Sequence, residues 1–474
     1  MTLKIDNFHG MQPRLHPSLL SAGMAVRAHN CRLKSGKLVP LRNPSVVSNS
    51  RVYKEGGLTK LSDATSLHAW KWLDNTGRTV VSFLAFKGMT WMAEGNIADD
   101  EYDRVFITGD TGVSYDDGTT VTENTPAVFI HERSGNNVIR HTLVKSPITT
   151  FSAADTGDPA FDDTKTVFYV AFFASWYDEF GYESGLTGAT EIIEINAGSV
   201  VEFTFDGIPP DADGVRVYMT MSGTEDSNDG IQFLLDCKVS ALVQGKTSHA
   251  VYPEDTGETE PGIEPIPSDL RCLQFVPGGF YTGFSASAPK TVMFSDINLV
   301  TSWPVAYRYD VKDTIVALAV TSNTVFALTD GWPWVLSGTA PESMTAAKLA
   351  GPAACVSPRG VCVYRNSVYY ASNEGLMAIV NDANSGTVCV NVTEKIFTKD
   401  QWQAKNPSSC ILQQHDGALH MFFKRADGSP DEGLVLDLNE SADAVTTHDE
   451  AAQCACVDNV TDTMYFVRDL TEEV

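Results

Sequence analysis

Basic side chains cluster near the start of the chain, and their spacing is the clearest sign of a binding surface. The cluster consists of Arg14, Arg27, Arg32, Lys34, Lys37 and Arg42. Residues 1–60 carry ten Lys or Arg against two Asp or Glu, a net charge of +8. Aromatic residues do not alternate with these cations, which disfavours a nucleic-acid site. Because arginine pairs with carboxylates in a bidentate geometry, we predict docking to an acidic subunit or adaptor, with a solvated surface as the alternative.

Side chains that could bind a metal occur at two places. His415 and His420 flank a turn that contains Asp416, and Asp116 and Asp117 directly precede a glycine. Either group could bind a cation. A polar turn explains both more simply, because Asp-Gly is a common hairpin turn. We therefore expect neither a metal nor a cofactor.

Sequence motifs of common enzymes are missing. The chain has no G-x-S-x-G, H-E-x-x-H or phosphate-binding G-x-x-x-x-G-K-[ST] pattern. Trp303, Trp332 and Trp334 lie close together in the sequence and could contact a sugar, although core packing explains them equally well. We predict that the protein is not an enzyme and has no catalytic residues. The alternative is a carbohydrate-binding or carbohydrate-cleaving β-propeller.

The composition is that of a folded protein with sizeable cores. Hydrophobic residues make up 43% of the 474 residues, enough for two or three domains. No apolar run approaches the roughly 20 residues of a membrane span, and the opening MTLKIDNFHGMQ lacks the apolar region of a secretory signal. Nine cysteines without a C-x-x-C pair indicate reduced thiols.

Negative charge is concentrated in the middle of the chain. The formal net charge is −26, and residues 155–270 carry four Lys or Arg against twenty-three Asp or Glu. A strongly acidic protein is a poor free DNA binder, because carboxylates repel phosphates. Solubility explains such charge. A surface that faces DNA without retaining it is the more specific interpretation, and the sequence leaves both open.

Short β-strands dominate the predicted secondary structure. In the second half, apolar hairpins are predicted around residues 315–328, 361–371, 412–423 and 455–466. Their spacing of about 40–50 residues is typical of β-propeller blades, with a sandwich or stacked hairpins as the alternative. Residues 344–350 and 399–404 are the best helical candidates.

The middle of the chain has a different pattern. Short strands with turn signals every 8–12 residues or so are typical of an immunoglobulin-like or fibronectin-III-like sandwich. We predict four segments: a basic N-terminal arm with the first strands at 1–60, the first part of a propeller-like body at 61–160, an inserted acidic sandwich at 161–268, and the rest of the body at 269–474.

The N-terminal motif resembles a known protein family. The residues that match are Phe8, Gly10, Pro13, Arg14, Ala28, Asn30, Cys31, Leu33, Gly36, Leu38, Pro40 and Arg42. At this spacing the sequence is similar to the opening of the tail nozzle proteins of short-tailed bacteriophages, also called tail tubular protein B-like or tail hub proteins. The strand at residues 216–220 after Pro209-Pro210, and the stretch 292–304, are also similar to that group.

The resemblance implies an all-β fold with a β-propeller-like body and an inserted sandwich. It further implies a structural virion protein, six copies of which form a ring below the portal and adaptor. Such a ring extends the DNA channel and takes part in genome retention and ejection. Chains of this group are often longer, so the last blade is expected to be completed by another chain or the body to be smaller.

The expected partners are further copies of the chain, the portal and adaptor proteins, tail fibres or tailspikes, and double-stranded DNA that passes without sequence-specific binding. No membrane span is expected. The expected location is the virion tail, after assembly in the host cytoplasm.

Overall fold

The fold is almost entirely β. The computed structural model describes residues 8–34, 37–41, 43–47, 51–95, 100, 102–114, 122–123, 125–132, 137–156, 167–222, 231–252, 264–351, 353–382, 386–438 and 444–468. The chain divides into two compact units. Unit 1 comprises Met1–His141, Ser268–Asn298 and Tyr307–Val474, and unit 2 comprises Thr142–Pro267 and Leu299–Ala306.

The first part of unit 1 forms two larger sheets and three strand pairs. Its strands are β1 (Gly10–Met11), β2 (Met24–Ala25), β3 (Cys31–Lys34), β4 (Lys37–Pro40), β5 (Arg51–Glu55), β6 (Ser66–Leu73), β7 (Thr79–Phe86), β8 (Thr90–Glu94), β9 (Val105–Gly109), β10 (Val113–Ser114), β11 (Thr122–Glu123), β12 (Ala127–Glu132) and β13 (Asn137–Thr142). Sheet A has the order β5-β7-β6 and sheet B the order β13-β12-β9-β8. In sheet A, β5 and β7 are parallel.

Unit 2 consists of two sheets that share one core. Its strands are β14 (Thr150–Asp155), β15 (Val167–Asp178), β16 (Ile193–Asn196), β17 (Ser199–Asp206), β18 (Ala212–Ser222), β19 (Gln232–Lys238) and β20 (Lys246–Val251). The sheet orders are β14-β17-β20 and β16-β15-β18-β19. Alternate residues point to opposite faces of a strand, so Val201 and Phe203 of β17 meet Phe172 of β15 and Val217 of β18 in the shared core.

The rest of unit 1 forms four four-stranded sheets and a final pair. Its strands are β21 (Leu270–Val276), β22 (Phe280–Ser285), β23 (Ala288–Phe294), β24 (Arg308–Asp310), β25 (Ile315–Thr321), β26 (Thr324–Thr329), β27 (Trp334–Ser337), β28 (Thr345–Lys348), β29 (Val361–Tyr364), β30 (Ser367–Ser372), β31 (Gly375–Asp382), β32 (Gly386–Asn391), β33 (Ile411–His415), β34 (Ala418–Lys424), β35 (Pro430–Asp437), β36 (Val445–His448), β37 (Ala452–Asp458) and β38 (Thr463–Arg468). Consecutive strands pair within sheets C (β21–β24), D (β25–β28), E (β29–β32), F (β33–β36) and G (β37–β38).

Helical structure is limited to short stretches. Helix α1 spans Lys399–Gln403, where Thr398 accepts a hydrogen bond from the Gln401 N–H and begins the helix. The 3₁₀ turns are Pro17–Leu19, Leu61–Asp63, Val239–Ala241, Val305–Tyr307, Pro341–Ser343 and Pro407–Ser409. Within the described ranges, none of the helices has the length and apolarity that a membrane crossing requires.

Each sheet of unit 1 packs against the next one along the chain. Apolar clusters join sheet A to B, C to D, D to E, E to F and F to G. Between sheets B and C, the rings of Phe106 and Tyr281 lie 5.6 Å apart, edge to face. Sheet G in turn packs on sheet A, where the rings of Phe83 and Tyr465 lie 4.8 Å apart. The order of packing is therefore cyclic.

One edge strand of each sheet contacts the corresponding strand of its neighbours. In cyclic order these strands are β6, β8, β21, β25, β29, β33 and β37, and β37 contacts β6. The four hairpins predicted in the second half are confirmed as β25–β26, β29–β30, β33–β34 and β37–β38. The helix predicted at 399–404 is confirmed as α1.

The helix predicted at residues 344–350 is wrong. Residues Thr345–Lys348 form strand β28, which pairs with β27. The sequence TAAK has a high local helix propensity, but the ladder of hydrogen bonds with the neighbouring strand overrides it.

Candidate interface of the N-terminal segment

The N-terminal segment, residues 8–41 as far as they are described, lies against the outer edge of sheet F. His29 forms a parallel bridge with Thr447 of β36. The Asn30 N–H donates to the Thr447 carbonyl at 2.8 Å, and the Thr447 N–H donates to the Ala28 carbonyl at 2.8 Å. The segment therefore extends sheet F by a short stretch of backbone pairing.

Apolar residues of the segment enter the core between sheets E and F. Met11, Ala28 and Cys31 are buried there, and Phe8 packs against the same cluster. These positions include several of the motif residues. The motif thus anchors the segment to the body of unit 1.

Arg32 contacts two acidic residues of sheet F. Its Nη1 lies 2.6 Å from Asp416 Oδ2, and its Nη2 donates to the Asp416 carbonyl at 2.6 Å. Nη2 also lies 3.5 Å from Asp437 Oδ2. The Arg32 side chain is only 11% exposed. The guanidinium therefore binds the β33–β34 turn and the end of β35 within its own chain.

The other predicted cations differ in their surroundings. Arg14 donates from Nη1 to the Glu394 carbonyl. Arg27 lies 3.1 Å from Glu432 Oε1 while its side chain is 68% exposed. Lys34 pairs with Lys37 in the backbone register of β3 and β4, and Arg42 lies outside the described residues. The structure thus gathers Arg14, Arg27 and Arg32 on one docked segment, where Arg14 and Arg27 are exposed and Arg32 is not.

His29 connects the segment to two acidic side chains. Its Nε2 lies 2.9 Å from Asp449 Oδ2. Its Nδ1 lies 2.9 Å from Glu432 Oε1 and 2.8 Å from the Thr447 hydroxyl. Asn30 also donates to Asp449 at 2.8 Å. Hydrogen bonds from Asn30 and His29 hold the pKa of the Asp449 carboxyl below its ordinary value.

The outward side of the segment carries apolar side chains. Leu19 is 68% exposed, and Val26 and Leu38 are exposed as well. Single exposed apolar residues are normal on a protein surface, whereas a concentration of them marks a contact site. The segment therefore combines inward anchors with outward apolar and basic side chains.

The possible metal ligands do not form a site in the described residues. The rings of His415 and His420 lie 5.7 Å apart. No group of three or more His, Cys, Asp or Glu that could hold a metal ion occurs in the part of the chain that the structure describes. Asp116 and Asp117 lie outside that part.

The tryptophans singled out in the sequence occupy unlike positions. Trp303 is fully buried, and its Nε1 donates to the Val300 carbonyl at 2.7 Å, so it offers no face to a sugar. Trp332 is half-buried beneath the Lys348 ammonium, which lies 3.8 Å from the ring centre. Trp334 is half-buried. Core packing explains Trp303, and the contact with the Lys348 ammonium explains Trp332.

Two cavities that share several wall residues lie among the edge strands of the cyclically packed sheets. One has a volume of about 610 Å³ and is lined by residues that include Trp91, Glu94 and Phe275. The other, of about 470 Å³, shares Trp91 and Glu94 and extends to Arg359 and the residues of β33 and β37. No local sequence pattern indicates these cavities, because their walls come from strands that are distant along the chain.

Comparisons with known proteins give little guidance. No family model matches the chain, and no curated protein matches it. Among solved structures, apo AztD from Citrobacter koseri is similar with 11% identity and a TM-score of 0.30, over 64% of this chain and 77% of that chain. Hsv2 from Kluyvelomyces marxianus is similar with 7% identity and a TM-score of 0.23, over 49% of this chain and 60% of that chain. Likenesses this weak carry no argument about fold or function.

Proposed function

We propose that unit 1 is a seven-bladed β-propeller and that unit 2 is an inserted immunoglobulin-like sandwich. The cyclic packing of sheets A to G and the ring of contacting edge strands support the propeller. The two sheets around one core support the sandwich. Sheet G, with two described strands, is the smallest blade.

We further propose that the protein is a structural, non-enzymatic component of a short-tailed bacteriophage tail. Six copies form a ring below the portal and adaptor and extend the channel through which DNA leaves the virion. The observation that carries this proposal is the N-terminal segment, which holds the family-like motif. Its Met11 and Cys31 anchor inward, while Leu19, Val26 and Leu38 point outward.

An outward apolar and basic surface requires a partner with apolar and acidic side chains. Residues 1–60, which include the segment, carry a net charge of +8, and the middle of the chain is strongly acidic. Contacts between the segment of one copy and an acidic surface of a neighbouring copy, or of the adaptor, satisfy both requirements. The net charge of −26 also suits a channel wall that does not retain DNA, because it offers few cations for the release of counterions.

The mass of the purified chain tests this proposal. We expect native mass spectrometry to find a hexamer, or a monomer that becomes a hexamer only with the adaptor of the same virion. The triple variant Leu19→Ser, Val26→Ser, Leu38→Ser should lose the hexamer while keeping its circular dichroism spectrum. The matched control is Val243→Ser with Val460→Ser, at two exposed valines outside the segment. A chain that stays monomeric with every tail protein tested would contradict the proposal.

A carbohydrate-binding protein is the second candidate. It is favoured by the cavity of about 610 Å³, because Trp91 and Phe275 offer aromatic surface beside the Glu94 carboxylate. Binding to a glycan array or release of reducing sugar would support it. A Trp91→Ala variant should then lose the signal, whereas its native mass and its circular dichroism spectrum should match those of the wild-type protein.

A further inference from the structure

Arg359 lies just before β29 in the wall of the cavity of about 470 Å³. Its Nη1 donates to two backbone carbonyls, that of Gln453 at 3.1 Å and that of Thr65 at 3.4 Å. Within the described residues, Nε and Nη2 make no hydrogen bond, and neither atom is fully buried. The guanidinium is therefore held by one nitrogen while the other two can still donate.

Two carboxylates, those of Glu94 and Asp458, line the same cavity, but neither lies within ion-pair distance of Arg359. The Asp458 carboxylate in the cavity wall already accepts from Lys71, from the Val460 N–H at 2.9 Å and from the Thr461 hydroxyl at 2.7 Å. Among the described residues, no carboxylate forms an ion pair with Arg359.

The thiols near Arg359 are neutral and do not balance its charge. Burial raises the pKa of the Cys454 thiol to about 12 and also raises the pKa of Cys410. Burial lowers the pKa of Arg359, against the opposing influence of these two cysteines. A guanidinium nonetheless stays protonated at neutral pH.

The remaining wall of the cavity combines polar and apolar side chains. The polar ones include Thr65, Gln413 and Glu94, and the apolar part is formed by Leu67, Met89, Ile411 and Val457. The volume falls within the range of about 300–1,000 Å³ that is typical of small-molecule sites. A cation without an ion-pair partner that lies beside apolar side chains is complementary to a ligand with one anionic end and an apolar group.

We propose that this cavity binds a small organic oxyanion, a carboxylate or phosphate monoester with an apolar group, whose oxygens accept from Nε and Nη2 of Arg359. Charge-assisted hydrogen bonds from a guanidinium to an oxyanion are strong and directional. The ligand's charge compensates the desolvated cation, and its apolar part fills the space between the edge strands. This inference does not depend on the proposed ring.

Isothermal titration calorimetry of the full chain with benzoate and with phenyl phosphate tests the site. We expect at least one of them to bind, and the affinity to fall about tenfold or more in Arg359→Gln. Arg78→Gln, at an exposed arginine in a turn outside the cavity wall, should leave the affinity unchanged. Binding of benzoate alone indicates a carboxylate, and binding of phenyl phosphate alone indicates a phosphate monoester.

A second measurement keeps the test valid if Arg359→Gln folds poorly. Phenylglyoxal modifies accessible arginines, and peptide mass spectrometry of the wild-type protein locates each adduct. The bound anion should protect Arg359 and leave Arg78 reactive. Absence of binding by both probes, or equal modification of Arg359 with and without the anion that binds, would overturn the proposal.

Discussion

The Lys145 ammonium lies 2.9 Å from the Asp178 carboxylate, and both side chains are only 2% exposed. Asp178 also accepts the Phe180 N–H at 3.0 Å and the Tyr182 N–H at 2.9 Å through its Oδ1. The ammonium lies 5.1 Å from the ring centre of Trp176. This buried pair fixes the loop after β15 to the residues that lead into β14 in unit 2.

Removing one partner of this pair should destabilise the protein strongly. Lys145→Met leaves the Asp178 charge buried without the Lys145 ammonium, and removing one partner of a buried pair lowers the free energy of unfolding by about 3–5 kcal/mol. The double variant Lys145→Met, Asp178→Asn should lose less stability, because the carbonyl of a neutral amide can still accept the two N–H groups. Urea denaturation of the full chain, followed by tryptophan fluorescence, measures the difference.

A surface pair in the same unit provides the control. Lys246 and Glu202 lie 2.8 Å apart on neighbouring strands, and their side chains are 44% and 35% exposed. Lys246→Met should therefore cost less than about 1 kcal/mol. Equal losses in Lys145→Met and Lys246→Met would contradict the role assigned to the buried pair.

Local signals explain why the hairpins were predictable. The turn between β33 and β34 contains Asp416 and Gly417 in left-handed conformations, with φ of 47° and 74°, and such residues mark a hairpin turn in the sequence. The parallel pairing of β5 with β7 has no such signal, because β6 lies between them in the sequence. Contacts between distant strands depend on how the sheet packs, and a local sequence pattern does not predict that packing.

The same limit applies to the basic cluster. Its presence on one segment was predictable from the spacing of the arginines. The pairing of Arg32 with Asp416, 384 residues away along the chain, was not predictable. No sequence pattern predicted Arg359 as a binding residue, because the groups around its guanidinium belong to strands that are distant along the chain.

Arg32 and Arg27 should respond differently to the same substitution. Arg32→Met removes the cation beside Asp437, whose carboxylate is nearly fully buried, and should cost about 2–4 kcal/mol. Arg27→Met removes an exposed pair and should cost less than about 1 kcal/mol. Denaturant unfolding gives both values. Hydrogen exchange at β36 should rise in the Arg32 variant alone, and an equal response in both variants would contradict the anchoring role of Arg32.

Buried histidines should make the stability depend on pH. Burial lowers the pKa of His420 to about 3, with smaller contributions from His448 and His415, and burial also lowers the pKa of His448 to about 4. In the unfolded chain these side chains take up a proton near pH 6.5. Between about pH 6.5 and 4 the unfolded state therefore binds more protons than the native state, so stability falls as the pH falls.

His420→Leu should make this pH dependence weaker. The Nε2 atom of His420 is buried without a hydrogen bond, so leucine should leave the stability at pH 7.5 equal or raise it by about 1 kcal/mol. Between pH 6 and 4.5 or so, the slope of the unfolding free energy should decrease by up to about 1.4 kcal/mol per pH unit, because one proton fewer is taken up on unfolding. Above pH 7.5 or so, the slopes of variant and wild type should coincide. Parallel stability curves across the whole range would mean that His420 is protonated in the folded protein, contrary to its burial.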